Sequence, residues 1–208
     1  MLHAILIPGH GDKGTRYDPG AGIDLDCDGD REGEETEAWL ARSYARHTAE
    51  GLQAAGWETS IFAVGRYSER ARAAREVAQD VHKRGGQSVI VYAHIDSYQG
   101  APHSLVGHLD ESDRGYRIAR AVADALPRHL GWPARVRGYG PDEAESWARN
   151  GRAVLYPSWH TPDTCAGILV EPWPVQVLAT LDDDGRSRLV AATAAGLIAG
   201  LQSWAVAH

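Results

Sequence analysis

Residues Ser88–Ala93 read SVIVYA, an uninterrupted apolar run rich in β-branched side chains. A run of that kind suits a strand buried on both faces, and such strands belong to parallel sheets covered by helices on each side. The flanking segments agree. Ser68 is placed to cap a helix running to about Arg84, and Gly85-Gly86 would stop it. The same alternation recurs along the chain. Leu2–Ile7 is a short apolar run ended by Pro8-Gly9, and Trp57–Val64 is a second strand candidate. Between them Glu35–Ala55 has helical composition, with Leu40, Tyr44, Ala45 and Leu52 roughly on one face and Gly56 after the end.

Asp113–Leu130 predicts a helix with Ile118, Val122, Ala125 and Leu126 inward, and Ala134–Gly138 a short strand. Pro141–Arg149 reads as a short helix, Ala153–Tyr156 and Gly167–Val170 as strands, and Arg186–Val206 as an alanine-rich closing helix. Residues 9–33 and 97–111 read as loops. The expectation is a three-layer α/β/α fold with a mostly parallel twisted sheet of about six strands. One domain is expected over residues 1–208, with an acidic insertion near 24–35.

Composition narrows the function classes. Apolar residues make up 43% and charged residues 24% of the 208, an ordinary globular mixture. The formal net charge of −7 argues against a basic nucleic-acid groove or a polybasic membrane patch. That charge is local. Between Asp24 and Glu37 stand eight acidic residues against Arg31 alone, which accounts for the whole −7. No run reads as long and apolar enough to span a bilayer, and MLHAILIPGHG lacks the charged start of a signal peptide. Synthesis in the cytoplasm is therefore expected, and a monomer. Cys27 and Cys165 lie too far apart in sequence to suggest a disulfide framework or a zinc knuckle.

In open α/β sheets the site lies beyond the carboxyl ends of the strands. Three chemically capable residues stand there. His10 follows the first strand in PGHGD, His94 follows the central strand in VIVYAHID, and Glu171 ends the last strand in GILVEPW. Glu34, Glu35 and Glu37 open the first helix beside the loop carrying His10. Two histidines and a carboxylate with an open position form a common catalytic zinc set, and a further carboxylate can serve as general base. An acidic residue in a first helical turn is also expected simply from the helix dipole, so the choice among Glu37, Glu35 and Glu34 stays open on residue type alone.

At these residues the chain resembles the zinc-dependent N-acetylmuramoyl-L-alanine amidases of the Amidase_3 type. PGHGDKGTRYDPGAG resembles the family's PGHGG-x-DPGA segment. Arg66 with ERARAAREVA at Glu69–Ala78 resembles its arginine and ERA-x-x-AN helix. YAHID resembles S-x-HAN, with Asp96 where Asn is usual. GILVEPWP resembles VLVE-x-GF, with Pro172-Trp173-Pro174 in place of x-Gly-Phe. The resemblance implies zinc held by His10, Glu37 and His94, with Glu171 as catalytic acid/base. It implies a peptidoglycan or muramyl-peptide substrate cut between N-acetylmuramic acid and L-alanine, and a bare catalytic domain suits an endolysin released to the cell wall.

The segment DLDCDGDREGEE also matches the loop pattern D-x-[DN]-x-[DN]-G-x5-E, with Asp24, Asp26, Asp28, Gly29 and Glu35 on its positions and Asp30 offering a carbonyl. In this loop the chain resembles an EF-hand-type calcium site; a solvated acidic loop is the plainer alternative. Tyr98, Tyr139, Trp159 and Trp173 are candidates to stack on glycan or peptide, and His103, His108 and His160 to contact substrate. Two rival classes are a non-catalytic cell-wall or metal-binding module and a histidine-phosphatase-type hydrolase. The second needs arginines around the nucleophile, and Pro8-Gly9 stands before His10 instead. A serine hydrolase lacks its G-x-S-x-G.

Overall fold

The computed structural model describes residues 1–12, 17–23, 25, 36–97, 101–143, 146, 155 and 161–207. Strand β1 is Leu2–Pro8, followed by the two-residue strands β2 (Gly11–Asp12) and β3 (Tyr17–Asp18), which pair with each other. Helix α1 spans Glu37–Ala54, β4 Glu58–Ile61, α2 Tyr67–Lys83 and β5 Gln87–Ala93. Then come β6 (Ser104–Leu109), α3 (Asp113–Leu130), β7 (Ala134–Tyr139) and β8 (Cys165–Glu171). A 3-10 turn at Val175–Thr180 leads to the last helix, α4, at Asp183–Val206.

The main sheet has six strands in the order β4-β1-β5-β8-β6-β7. Pairings are parallel except β6 against β8, which run antiparallel. The expected three-layer, mostly parallel architecture is what the chain adopts. Between β1 and β8 the central strand β5 is buried along Ser88–Ala93, as its composition requires. One face packs on α1, α3 and α4 through residues such as Leu40, Val89, Val106, Ile118, Leu197 and Trp204. The other packs on α2 through Ile5, Ile7, Ala74, Ala78, Ile90 and Tyr92.

Strand β6 departs from the sequence reading. Residues 104–109 are not part of a loop but form β6, and its SLVGHL sequence hides the strand. Gly107 and His108 interrupt the apolar pattern, yet both have packing reasons. A Cβ at Gly107 would fall 2.4 Å from the Tyr139 ring, so the glycine makes room for that ring, and His108 is 6% exposed. The expected strand at Ala153–Tyr156 lies outside the described residues apart from Leu155, which has φ +62 and no strand pairing. The expected helix at Pro141–Arg149 is helical over residues 141–143 and at 146, and its other residues are not described.

Against expectation, one helix among the described residues is long and apolar enough to cross a membrane by composition: α4. In this fold half of its most apolar window is buried, with Leu189, Val190, Leu197, Leu201 and Trp204 packed toward α1 and α3. Gly200 makes the close approach possible, because a Cβ there would lie 2.5 Å from the Val122 Cα on α3.

Candidate metal centre

The sheet register brings the two histidines together. Pro8 pairs with Ala93 across β1 and β5, so both chains leave the sheet side by side. The Gly9 amide donates to the Ala93 carbonyl at 2.6 Å, and the His10 and His94 rings meet edge-on with centroids 5.6 Å apart. His10 itself has φ +56, a left-handed conformation uncommon outside glycine and one that clusters at functional sites.

Glu37 enters from the opposite layer as the first residue of α1. Thr36 caps that helix, its hydroxyl accepting from the Trp39 amide at 3.3 Å. The neighbouring amides of Glu37 and Ala38 donate to the carbonyls of Ala21 and Pro19, so the 19–21 segment takes up the helix start. Glu37 is 3% exposed. One oxygen lies 2.9 Å from His94 Nδ1 and accepts from the Ile95 amide at 3.1 Å; the other lies 3.3 Å from His10 Nε2 and accepts from the Ala21 amide at 3.0 Å. Burial by itself would raise this acid, but the hydrogen bond and charge of His94, then His10 and the Ala21 amide, hold it below the ordinary carboxylate range.

One ligand atom each from His10, Glu37 and His94 lies within 4.8 Å of the others. Two imidazoles and a carboxylate at that spacing fit a zinc ion. Asp18 adds an outer contact, with an oxygen 3.1 Å from His10 Nδ1. Its signal lay in the DPGA segment, which sequence reading used for the resemblance without giving Asp18 a role. Glu34 and Glu35, the alternatives to Glu37, lie outside the described residues, as do the calcium-loop positions Asp24, Asp26, Asp28 and Asp30.

Glu171 ends β8. Ala93 pairs with Val170 and the His94 amide donates to the Val170 carbonyl at 2.9 Å, which sets Glu171 beside His94 at the next strand end. Its carboxyl is pushed up to about 7, first by burial and then by the charges of Asp96 and Glu37, against the opposing pull of His94 and Arg137. A carboxyl poised near neutrality beside a cluster of this kind can both take and return a proton.

Underneath, Tyr44 ties the two strand ends together. Its buried hydroxyl is 2.9 Å from the His94 carbonyl and 3.1 Å from that of Val170. Tyr44→Phe should cost about 1–3 kcal/mol, since it strips buried acceptors of a donor. A denaturant midpoint unchanged from wild type would count against this role.

Several sequence candidates turn out to be packing. Trp173 is fully buried, edge-on to Tyr44, and Tyr139 is 3% exposed beneath the Arg137 guanidinium, so neither offers a face for a sugar. His108 bonds to the Leu109 carbonyl and packs on Tyr116. His103 does face the site edge, with Nε2 3.5 Å from an Asp96 oxygen. Tyr98, Trp159 and His160 lie outside the described residues.

No family model matches the chain, and no curated protein does. Solved structures do. Cwp6 from Clostridium difficile aligns with a TM-score of 0.63 at 14% identity, covering 97% of this chain and 29% of its own, so this chain spans under a third of that protein. The catalytic domain of CwlV, an N-acetylmuramoyl-L-alanine amidase from Bacillus (Paenibacillus) polymyxa var. colistinus, aligns at 0.59 and 15% identity over 95% and 96% of the two chains. The catalytic domain of CD27L, an endolysin targeting Clostridia difficile, aligns at 0.60 and 13% identity over 98% and 97%. The chain has the fold of the N-acetylmuramoyl-L-alanine amidase catalytic domains.

Proposed function

We propose that the chain is a zinc-dependent peptidoglycan amidase that cuts the amide between N-acetylmuramic acid and the L-alanine of the stem peptide. The observation that carries this is the His10–Glu37–His94 cluster at the sheet edge with Glu171 beside it. Likeness to amidase and endolysin catalytic domains supports the substrate class and a lytic role at the cell wall. The reading takes residues 1–208 as one catalytic domain acting as a monomer.

In this reading His10, Glu37 and His94 would hold the metal, which would supply Lewis-acid activation when bound. Glu171 takes the proton from the attacking water and returns it to the leaving amine of L-alanine. The amide N–C(O) bond breaks, the water oxygen joins the lactyl carbonyl, and the proton stays on the new amine. A non-catalytic metal-binding module would have no use for a carboxyl held near neutrality in that place.

The test is digestion of purified peptidoglycan by the zinc-loaded and the chelator-treated protein, followed by mass spectrometry. New free L-alanine amino groups are expected, lost with chelator and restored by zinc. New reducing sugar ends instead would identify a glycosidase, and no cleavage by the zinc-loaded protein would overturn the amidase reading.

A further inference from the structure

Tyr67 and Arg70 stand three residues apart at the start of α2, so both project from one helix face toward the ends of β1 and β5. The helix is set there by Glu69, whose carboxylate accepts from the Arg66 amide at 2.8 Å. Tyr67 is 8% exposed, and its hydroxyl oxygen lies 2.9 Å from His94 Nε2. Arg70 is 1% exposed, stacks its guanidinium 4.9 Å over the Tyr67 ring, and donates from Nη1 to the Pro8 carbonyl at 2.6 Å.

Among the described residues, Nε and Nη2 of Arg70 have no hydrogen-bond partner. A buried cation so thinly satisfied costs folding free energy, and its contacts account for what it does in return. One contact holds Pro8, two residues ahead of His10. The other holds the ring of Tyr67, which in turn meets His94.

An imidazole can point either nitrogen inward. His94 turns Nδ1 toward Glu37, where the three ligand atoms converge, and leaves Nε2 outward. Gly9 walls the other side of the ring, since a Cβ there would lie 2.5 Å from His94 Nδ1. Tyr67 is the side chain that meets the outward nitrogen.

We propose that Tyr67, braced by Arg70, is a positioning residue for the metal centre. Its hydroxyl oxygen accepts from His94 Nε2–H, fixing the tautomer and the ring so that Nδ1 is free for the metal. The inference rests on the zinc reading above. Metal-bound histidines commonly give their second nitrogen to such a partner, and losing it weakens metal affinity about 10–100-fold.

The experiment measures zinc Kd by competition with a chromogenic chelator for wild type and Tyr67→Phe, with the melting of the metal-free proteins alongside. Tyr67→Phe is expected to weaken zinc about 10–100-fold while remaining folded without metal. Arg70→Lys, which keeps the charge but loses the flat stacking face, should weaken zinc in the same direction. Proton–nitrogen NMR of zinc-loaded wild type supplies a reading that needs no variant: His94 should carry a slowly exchanging proton on Nε2. A proton on Nδ1, or an equal zinc Kd for Tyr67→Phe, would overturn the inference while leaving the amidase reading standing. A wild-type chain that binds no zinc would overturn both.

Discussion

Glu171→Gln is expected to lower peptidoglycan cleavage by about 100- to 10,000-fold while zinc content stays at the wild-type level. The amide keeps the size of the side chain but can neither take the water proton nor return it. The same substitution should stabilise the metal-free protein, in a pH-dependent way. The carboxyl sits at about 7 in the folded chain against an ordinary 4.5, so the folded state binds its proton more tightly than the unfolded one. The stability this lends is complete below the unfolded value and is lost as the pH rises through 7. Above that, the buried charge costs about 3 kcal/mol, which Gln would not incur. The denaturant midpoint of Glu171→Gln should therefore exceed that of wild type at pH 8 and match it near pH 4. Equal midpoints at both pH values would show that Glu171 is not held protonated by burial, and full activity would remove it from the mechanism.

Gly20→Ala is expected to weaken zinc binding by about 5- to 150-fold, and Gly85→Ala provides a matched control. Both glycines have φ +74, so both substitutions incur the same left-handed backbone strain, about 1–2 kcal/mol. Around Gly85 nothing lies within 4 Å of an added Cβ. At Gly20 the same atom would lie 2.7 Å from the His10 ring and 2.8 Å from a Glu37 oxygen. Two of the proposed metal ligands must then give way, adding about 1–3 kcal/mol of overpacking to the strain. Calorimetric zinc titration of the two variants reads the difference directly. Gly85→Ala should bind as wild type does, and Gly20→Ala binding zinc equally well would show that the ligand cluster is looser than drawn.

What could be read from sequence follows a physical divide. β1, β5 and α3 were legible because burial on both faces, or a clean helical stripe ended by Gly131, leaves a periodic mark. The strand-end rule then brought out His10, His94 and Glu171, since it needs only the direction of each strand. β6 was illegible because its glycine and histidine answer to Tyr139 and Tyr116, residues distant in sequence. Trp173 and Tyr139 were misread for the same reason: an aromatic near a strand end looks alike in sequence whether it faces substrate or a neighbouring layer. Tyr67 left no signal at all, since its role depends on which way α2 turns one face toward His94.

The reversed pair β6 and β7 has a consequence for where this scaffold can be extended. Leu105, near the start of β6, pairs with Glu171, so β6 leaves the rim that carries Glu171 and ends about 13 Å away at Leu109, four residues on at about 3.3 Å each. The rim itself is bordered by the entry into β7, where the Trp132 indole donates to the Pro172 carbonyl at 3.0 Å. The turn at Asp110–Ser112 thus opens on the opposite side of the molecule from the histidines. Extra sequence grafted there, such as an affinity handle, would hang clear of the rim that carries His10, His94 and Glu171.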